Sequence, residues 1–194
     1  SGNVSYYNET KDKGMKRTTL IGGEGHIKNY KKTMSMGLKK EGKLILVIGK
    51  TEGHLEQTIF AREVLSEKKG PPPEINLFNE KNNGLTITKL IKDNLIESCH
   101  DISLGGILVA ASKMCIKSNK GIKINNLKNL INKFEYFFSE YQGRYLIEIN
   151  KDNFKKIEKV FIDNSVHFYE LGVVHNDKFL FSDEINLSIE DLIK

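Results

Sequence analysis

The chain is short of cysteine, of arginine and of long apolar runs, and each shortage removes a class of explanation. Cys99 and Cys115 are its only cysteines. Two are too few for a disulfide framework and these lack metal-site spacing, so the chain reads as a cytoplasmic protein with two free thiols. No apolar stretch approaches the roughly 20 residues that span a bilayer, and SGNVSYYNETKDKG at the start lacks the apolar core of a secretory signal. No membrane partner is expected. The formal charge of +5 would permit nucleic-acid binding, but Arg17, Arg62 and Arg144 are the only arginines. A dedicated nucleic-acid surface uses arginine forks and clustered aromatics, so the lysine excess is read as a surface preference and no nucleic-acid partner is expected.

What is present is a pattern of buried strands and amphipathic helices. With 39% hydrophobic residues in 194, the chain is long enough for one substantial core. Residues 1 to 16 stand apart, polar and without apolar periodicity. From residue 43, KLILVIG is a short continuous apolar run closed by Gly49, the mark of a buried strand. Leu55, Ile59, Phe60, Ala61 and Leu65 fall near helical spacing, and GPPPE at 70 to 74 ends that helix. Leu85, Ile87, Leu90, Ile91 and Leu95 predict a second helix, running to about Asn94. An extended IESCHDIS follows, then a buried helix over GILVAASKMCI with Gly121 as its stop. The rest alternates: strand GIKIN, helix LKNLINKFEYFF, strand RYLIEI, helix KDNFKKIEKVFIDN, then strands VHFYELGVV and KFLF. Helices recurring between strands imply helices packed on a mixed sheet.

Several segments carry chemistry-bearing residues. In HDISLGG (100–106), Asp101 stands at a strand end, and Gly105 and Gly106 let backbone approach a ligand where a helix begins. A helix N-terminus attracts phosphate, and a nearby carboxylate holds its magnesium. Equally, Asp101 or Ser103 could cap the turn while the glycines permit tight packing. Cys99 and His100 do not make a nucleophile–base pair, because consecutive side chains of an extended segment point to opposite faces. His100 is either a base or a core histidine. In FSEYQGRY (138–145), Glu140, Gln142 and Arg144 alternate and would point one way if the strand starts early; a solvated strand entry explains the same pattern. GKTEGHLEQT lacks the spacing of a phosphate loop, and IGGEG reads as a turn. His54, His167 and His175 have no metal-ligand spacing. SGNVSYYNE is oxygen-rich, suited to a hard cation, or simply a polar terminus.

Taken together, SGNVSYYNET, GKLILVIGKTEGHLEQTIFAREVL, PPPEINLFNEK, SCHDISLGGILVAASKM and FSEYQGRYLIEI resemble, in family order, the C-terminal part of the phosphoribosylformylglycinamidine synthase family. This is the synthetase subunit of purine biosynthesis, within the aminoimidazole ribonucleotide synthetase-like superfamily. The resemblance implies an α+β fold: a three-layer α/β/α arrangement with a mixed sheet, partly ferredoxin-like. It implies that residues 1–16 are the tail of a preceding ATP-binding domain and 17–194 the C-terminal domain of the synthetase. The family converts formylglycinamide ribonucleotide, ATP and glutamine-derived ammonia to formylglycinamidine ribonucleotide, ADP and phosphate, with magnesium.

Carried over by motif, Gly2 touches ATP, Asn3 holds magnesium and Ser5 touches substrate. Asp101 resembles a magnesium ligand of an auxiliary nucleotide site, and Glu140 and Gln142 match the counterpart of a substrate-binding motif. The principal catalytic histidine belongs to the other half of the subunit, so no catalytic residue is expected in this chain. The implied partners are the N-terminal part of the synthetase and a glutaminase subunit. Glu56 departs from the pattern of the family, which usually has glycine there. Two alternatives stand beside this one: a non-catalytic docking or auxiliary-nucleotide domain, and another ATP-dependent member of the superfamily.

Overall fold

The computed structural model describes residues 9–10, 13–14, 22–27, 29–125, 132–176, 179–181 and 185–194. Two compact units are present, Ser1–Thr33 and Met34–Lys194. In the first, β1 (Glu9–Thr10) and β2 (Lys13–Gly14) pair antiparallel, and a 3-10 turn covers Tyr30–Lys32. The expected boundary after residue 16, and Gly2, Asn3 and Ser5, lie outside the described residues.

The second unit is built around β3 (Leu44–Ile48), the strand that LILVI encodes. All five of its residues are buried, as expected of a central strand covered on both faces. After it come α1 (Ile59–Glu63), α2 (Leu77–Lys92), β4 (Ser98–Ile102), α3 (Gly106–Ser118), β5 (Gly121–Ile124), α4 (Lys133–Phe138) and β6 (Arg144–Ile149). Then follow α5 (Phe154–Asp163), β7 (Phe168–His175), β8 (Phe179–Phe181), β9 (Asn186–Ser188) and α6 (Ile189–Ile193). The strand order is β4-β6-β3-β7-β5-β8-β9. All neighbours are antiparallel except the parallel β5–β8 pair.

Within this sheet, β3-α2-β4 and β6-α5-β7 form a split βαβ pair in ferredoxin-like order, extended on one side by β5, β8 and β9. Leu44, Leu46 and Ile48 pack with Ile87 and Leu90 of α2 and Ile157 and Phe161 of α5. Ile45 and Val47 turn the other way, onto Ile107, Ala111 and Met114 of α3 and Phe137 of α4. The period-2 alternation of β3 therefore feeds two cores, giving the expected three-layer α+β arrangement with a mixed sheet.

Local structure departs from the periodicity reading in four places. The helix expected from Leu55 to Leu65 shrinks to α1, because Gln57 holds a left-handed φ of 62° and Thr58 caps the helix, its Oγ1 accepting from Ala61 N at 3.1 Å. The second helix starts earlier than its apolar positions suggest: Asn76 caps it by accepting from Asn79 N at 3.0 Å. Its first turn carries the exposed Leu77 and Phe78, so no buried periodicity marks that start. Gly121 does not stop α3; Asn119 does so in left-handed geometry, and Gly121 opens β5. At 127–138, α4 covers Lys133–Phe138 and residues 126–131 lie outside the described set.

Candidate functional site

At one end of the sheet, β3 and β4 finish, β6 and β7 begin, and α3 starts directly from β4. Two of the motifs singled out in sequence, HDISLGG and FSEYQGRY, meet here because β4 and β6 are antiparallel neighbours with Ile102 opposite Arg144. The end of HDISLGG's strand thus adjoins the start of the strand after FSEYQG. Two adjoining cavities of about 240 Å³ each open at this end. The first is bordered by Asp101, Glu140, Gln142 and Arg144. The second takes in Lys50, Glu52, Asn76 and Asn79, and shares Glu80, Tyr141 and Gln142 with the first.

The α3 entry is capped by a residue distant in sequence. Neither Asp101 nor Ser103 caps it: Gly105 is the N-cap residue, without a side-chain hydrogen bond of its own. Instead Glu140 Oε1 accepts from Gly105 N and from Ile59 N, each at 2.8 Å. One carboxylate therefore serves the starts of both α3 and α1, where partial positive charge favours it. Gly106, at φ 71°, allows close packing: a Cβ there would lie 2.4 Å from Phe137 O. At this position the glycine serves helix–helix contact. The strand begins at Arg144, so Glu140, Gln142 and Arg144 do not all point one way along it. Glu140 reaches two helix starts, Gln142 is exposed at both cavities, and Arg144 turns inward, 1% exposed.

Asp101 remains 61% exposed at its side chain, with Oδ1 3.2 Å from His100 Nδ1. His100 Nε2 is buried without a partner among the described residues. Burial holds the imidazole below its ordinary pKa and Lys113 adds to this, while Asp101 opposes it. Cys99 packs on the α2–α5 side, and burial first, then the charge of Asp101, pushes its thiol up to about 12. This thiol is no nucleophile at neutral pH. Among the described residues no three His, Cys, Asp or Glu side chains gather to hold a metal ion. For magnesium, Asp101 offers a single exposed carboxylate, which suits that ion only where phosphate and water complete its shell.

The loop after β3 is braced by side chains. Lys50 lies 4.0 Å from Glu52. His54 Nε2 is 2.9 Å from Pro71 O, its Nδ1 is 3.2 Å from Glu56, and its backbone N donates to Tyr141 Oη at 3.1 Å. Glu56 lies against Gly70, at which a Cβ would meet Glu56 Cγ at 2.5 Å. The missing Cβ at 70 leaves room for the side chain at 56.

Sequence reasoning named Arg144 but missed its inward turn and the contacts that line the interior of this end. Arg144 Nη1 donates to Thr51 Oγ1 at 2.9 Å, Nη2 donates to Ser139 O, and the guanidinium lies 5.6 Å from the centre of the Tyr141 ring. Thr51 Oγ1 in turn meets Tyr169 Oη at 2.9 Å, and Asn83 Nδ2 donates to Gly143 O at 2.9 Å. The one available signal was the rarity of arginine in a lysine-rich chain.

Residues 40–182 match the family of AIR synthase related proteins, C-terminal domain, and the chain belongs to that family. Among its relatives, the phosphoribosylformylglycinamidine synthase subunit PurL of Pelagibacter ubique is 58% identical over 194 residues, which is 100% of this chain and 27% of that protein. The same-named subunit of Bartonella bacilliformis is 36% identical over 192 residues, 99% of this chain and 26% of that one. The chain thus spans about a quarter of the length of these relatives. The fold is shared with Thermotoga maritima PurL: the PurLQS structure gives a TM-score of 0.67 at 17% identity, covering 84% of this chain and 28% of that one. The structure complexed with FGAR gives 0.68 at 16%, covering 84% and 30%.

Proposed function

We propose that this chain is the C-terminal domain of a phosphoribosylformylglycinamidine synthase, and that it acts as part of a longer synthetase. The observation that carries this reading is the 58% identity to a PurL subunit sustained over all 194 residues. The fold likeness to PurL structures complexed with FGAR and with ATP supports it. In that reaction the γ-phosphoryl group of ATP passes to the substrate amide oxygen, and ammonia drawn from glutamine then displaces it as phosphate. Residues 1–16 are the tail of the preceding ATP-binding domain in this reading, with Gly2 at ATP, Asn3 at magnesium and Ser5 at substrate. The remainder of the synthetase and a glutaminase subunit are its partners, and the cytoplasm its compartment. Among the described residues no helix is long and apolar enough to cross a membrane.

The domain's own contribution is positional. Gln142, exposed at both cavities, is available to a polar ligand, whereas Glu140 already accepts from two backbone amides. Any contact Glu140 makes with substrate is therefore through its second carboxylate oxygen. Asp101 is an auxiliary magnesium ligand in this reading, joined by phosphate oxygens. The engagement of Glu140 favours a second role, in which this domain stabilises the assembly and its own nucleotide site is accessory.

The test is a chimera: the matching quarter of the Pelagibacter relative is replaced by this chain, and ammonia-dependent formation of formylglycinamidine ribonucleotide is measured. Turnover within about tenfold of the parent, about 1.4 kcal/mol in activation free energy, is expected. A chimera that folds, binds ATP and forms no product would sink the proposal. The chain by itself is expected to show no turnover.

A further inference from the structure

Arg144 is the first residue of β6 and is 1% exposed. Among the described residues no carboxylate lies within ion-pair distance of it, and its Nε has no partner. Burial pulls the guanidinium below its ordinary range, with nearby tyrosines and Glu140 opposing. An apolar side chain of similar volume would fill this space without that desolvation. What it could not do is bridge. The planar fork reaches Thr51 Oγ1 in the loop after β3 and Ser139 O at the start of the segment before β6, while its stem fills the space left by Gly49, where a Cβ would lie 2.8 Å from Arg144 Cγ. The two stretches it joins are the ones that carry Lys50, Tyr141 and Gln142 to the cavities.

We infer that Arg144 is a positioning residue, whose guanidinium sets segment 139–143 against the loop after β3 so that Tyr141 and Gln142 present their side chains to the cavities. Its consequence for substrate rests on the reading above, in which Gln142 touches formylglycinamide ribonucleotide. A lysine supplies the charge as a point donor without the planar fork, so it does not replace this arginine.

The experiment uses the full-length synthetase carrying this domain, with Arg144→Met, Arg144→Lys and the milder Thr51→Val. Two readouts are taken: amide hydrogen exchange by segment, and KM and kcat for formylglycinamide ribonucleotide. Exchange at 50–54 and 139–143 is expected to rise about tenfold in both Arg144 variants and about threefold in Thr51→Val, while β3 and β6 keep their protection. KM is expected to rise about tenfold with kcat within about twofold. Restoration of native exchange and KM by lysine would overturn the inference. So would loss of protection spread evenly through β3 and β6, which marks a core-filling residue. A local rise in exchange with KM unchanged sustains the positioning role and removes Gln142 from the substrate.

Discussion

Glu148 and Arg144 lie four residues apart on one face of β6, both almost fully buried at 0% and 1% exposure, yet their surroundings differ. The Glu148 carboxylate accepts from Lys39 N at 3.0 and 2.9 Å, from Lys40 N at 3.1 Å and from Ser98 Oγ at 3.0 Å. Both oxygens are engaged, and the 39–40 crossing is tied to β4 and β6. At the Arg144 end, Nε has no partner among the described residues, and two cavities open beside the same strand. A satisfied buried charge cements structure, whereas an incompletely satisfied one is tolerated where the molecule keeps a site. One strand thus carries a closed end and an open end.

The largest effect should come from the closed end. Glu148→Ala strands three donors at once, and should lower unfolding free energy by about 3 kcal/mol or more in urea titrations; a loss below 1 would erase the contrast between the ends. Next comes Gly106→Ala, which puts a methyl group into Phe137 O at a left-handed φ and should cost about 2 kcal/mol. Glu140→Ala frees the amides of Ile59 and Gly105 and should cost about 1–2 kcal/mol, with faster exchange at both sites; exchange rising at only one would show that the shared cap is wrongly assigned. Arg144→Met should change stability by less than about 1 kcal/mol, because lost desolvation offsets lost hydrogen bonds. A loss as large as that of Glu148→Ala would make the two ends alike.

The smallest effect concerns the thiols. Cys99 pairs in register with Ile147 near the closed end; burial, then Asp101, sets its thiol at about 12, and burial does the same to Cys115. In the unfolded chain these thiols ionise near 9, so the unfolded state binds fewer protons between those values. Their contribution to stability is complete below pH 9 and falls as pH rises towards 12. At pH 8, alkylation of the folded protein should run more than about a hundredfold slower than in urea. Rapid labelling of Cys99 would show that the closed end opens.

Helices packed on a mixed sheet were readable because the apolar patterns are local, LILVI as a buried strand and GILVAASKMCI as a buried helix; the three-layer arrangement was what the family resemblance implied. Helix starts were less readable. Leu77 and Phe78 are exposed, so the first turn of α2 carries no buried periodicity, and α1 was overextended because Gln57's left-handed backbone leaves no mark in hydropathy. The short β9 and α6 passed unnoticed, having too few residues for a period to show. At the site, HDISLGG and FSEYQGRY were legible as separate motifs, while their partners were not: nothing in the order of residues tells that Glu140 will cap helices beginning at 59 and 106.

Sequence by itself determined the family, the alternation of strands and helices, and that HDISLGG and FSEYQGRY were among the motifs to notice, because these depend on residue type and on spacing over a few positions. Tertiary structure alone decided that the motifs share one end of one sheet, that Glu140 holds two helix starts, and that Arg144 is buried with no carboxylate in ion-pair reach among the described residues. Those facts depend on β4 and β6 lying side by side, and that pairing joins residues more than 40 positions apart.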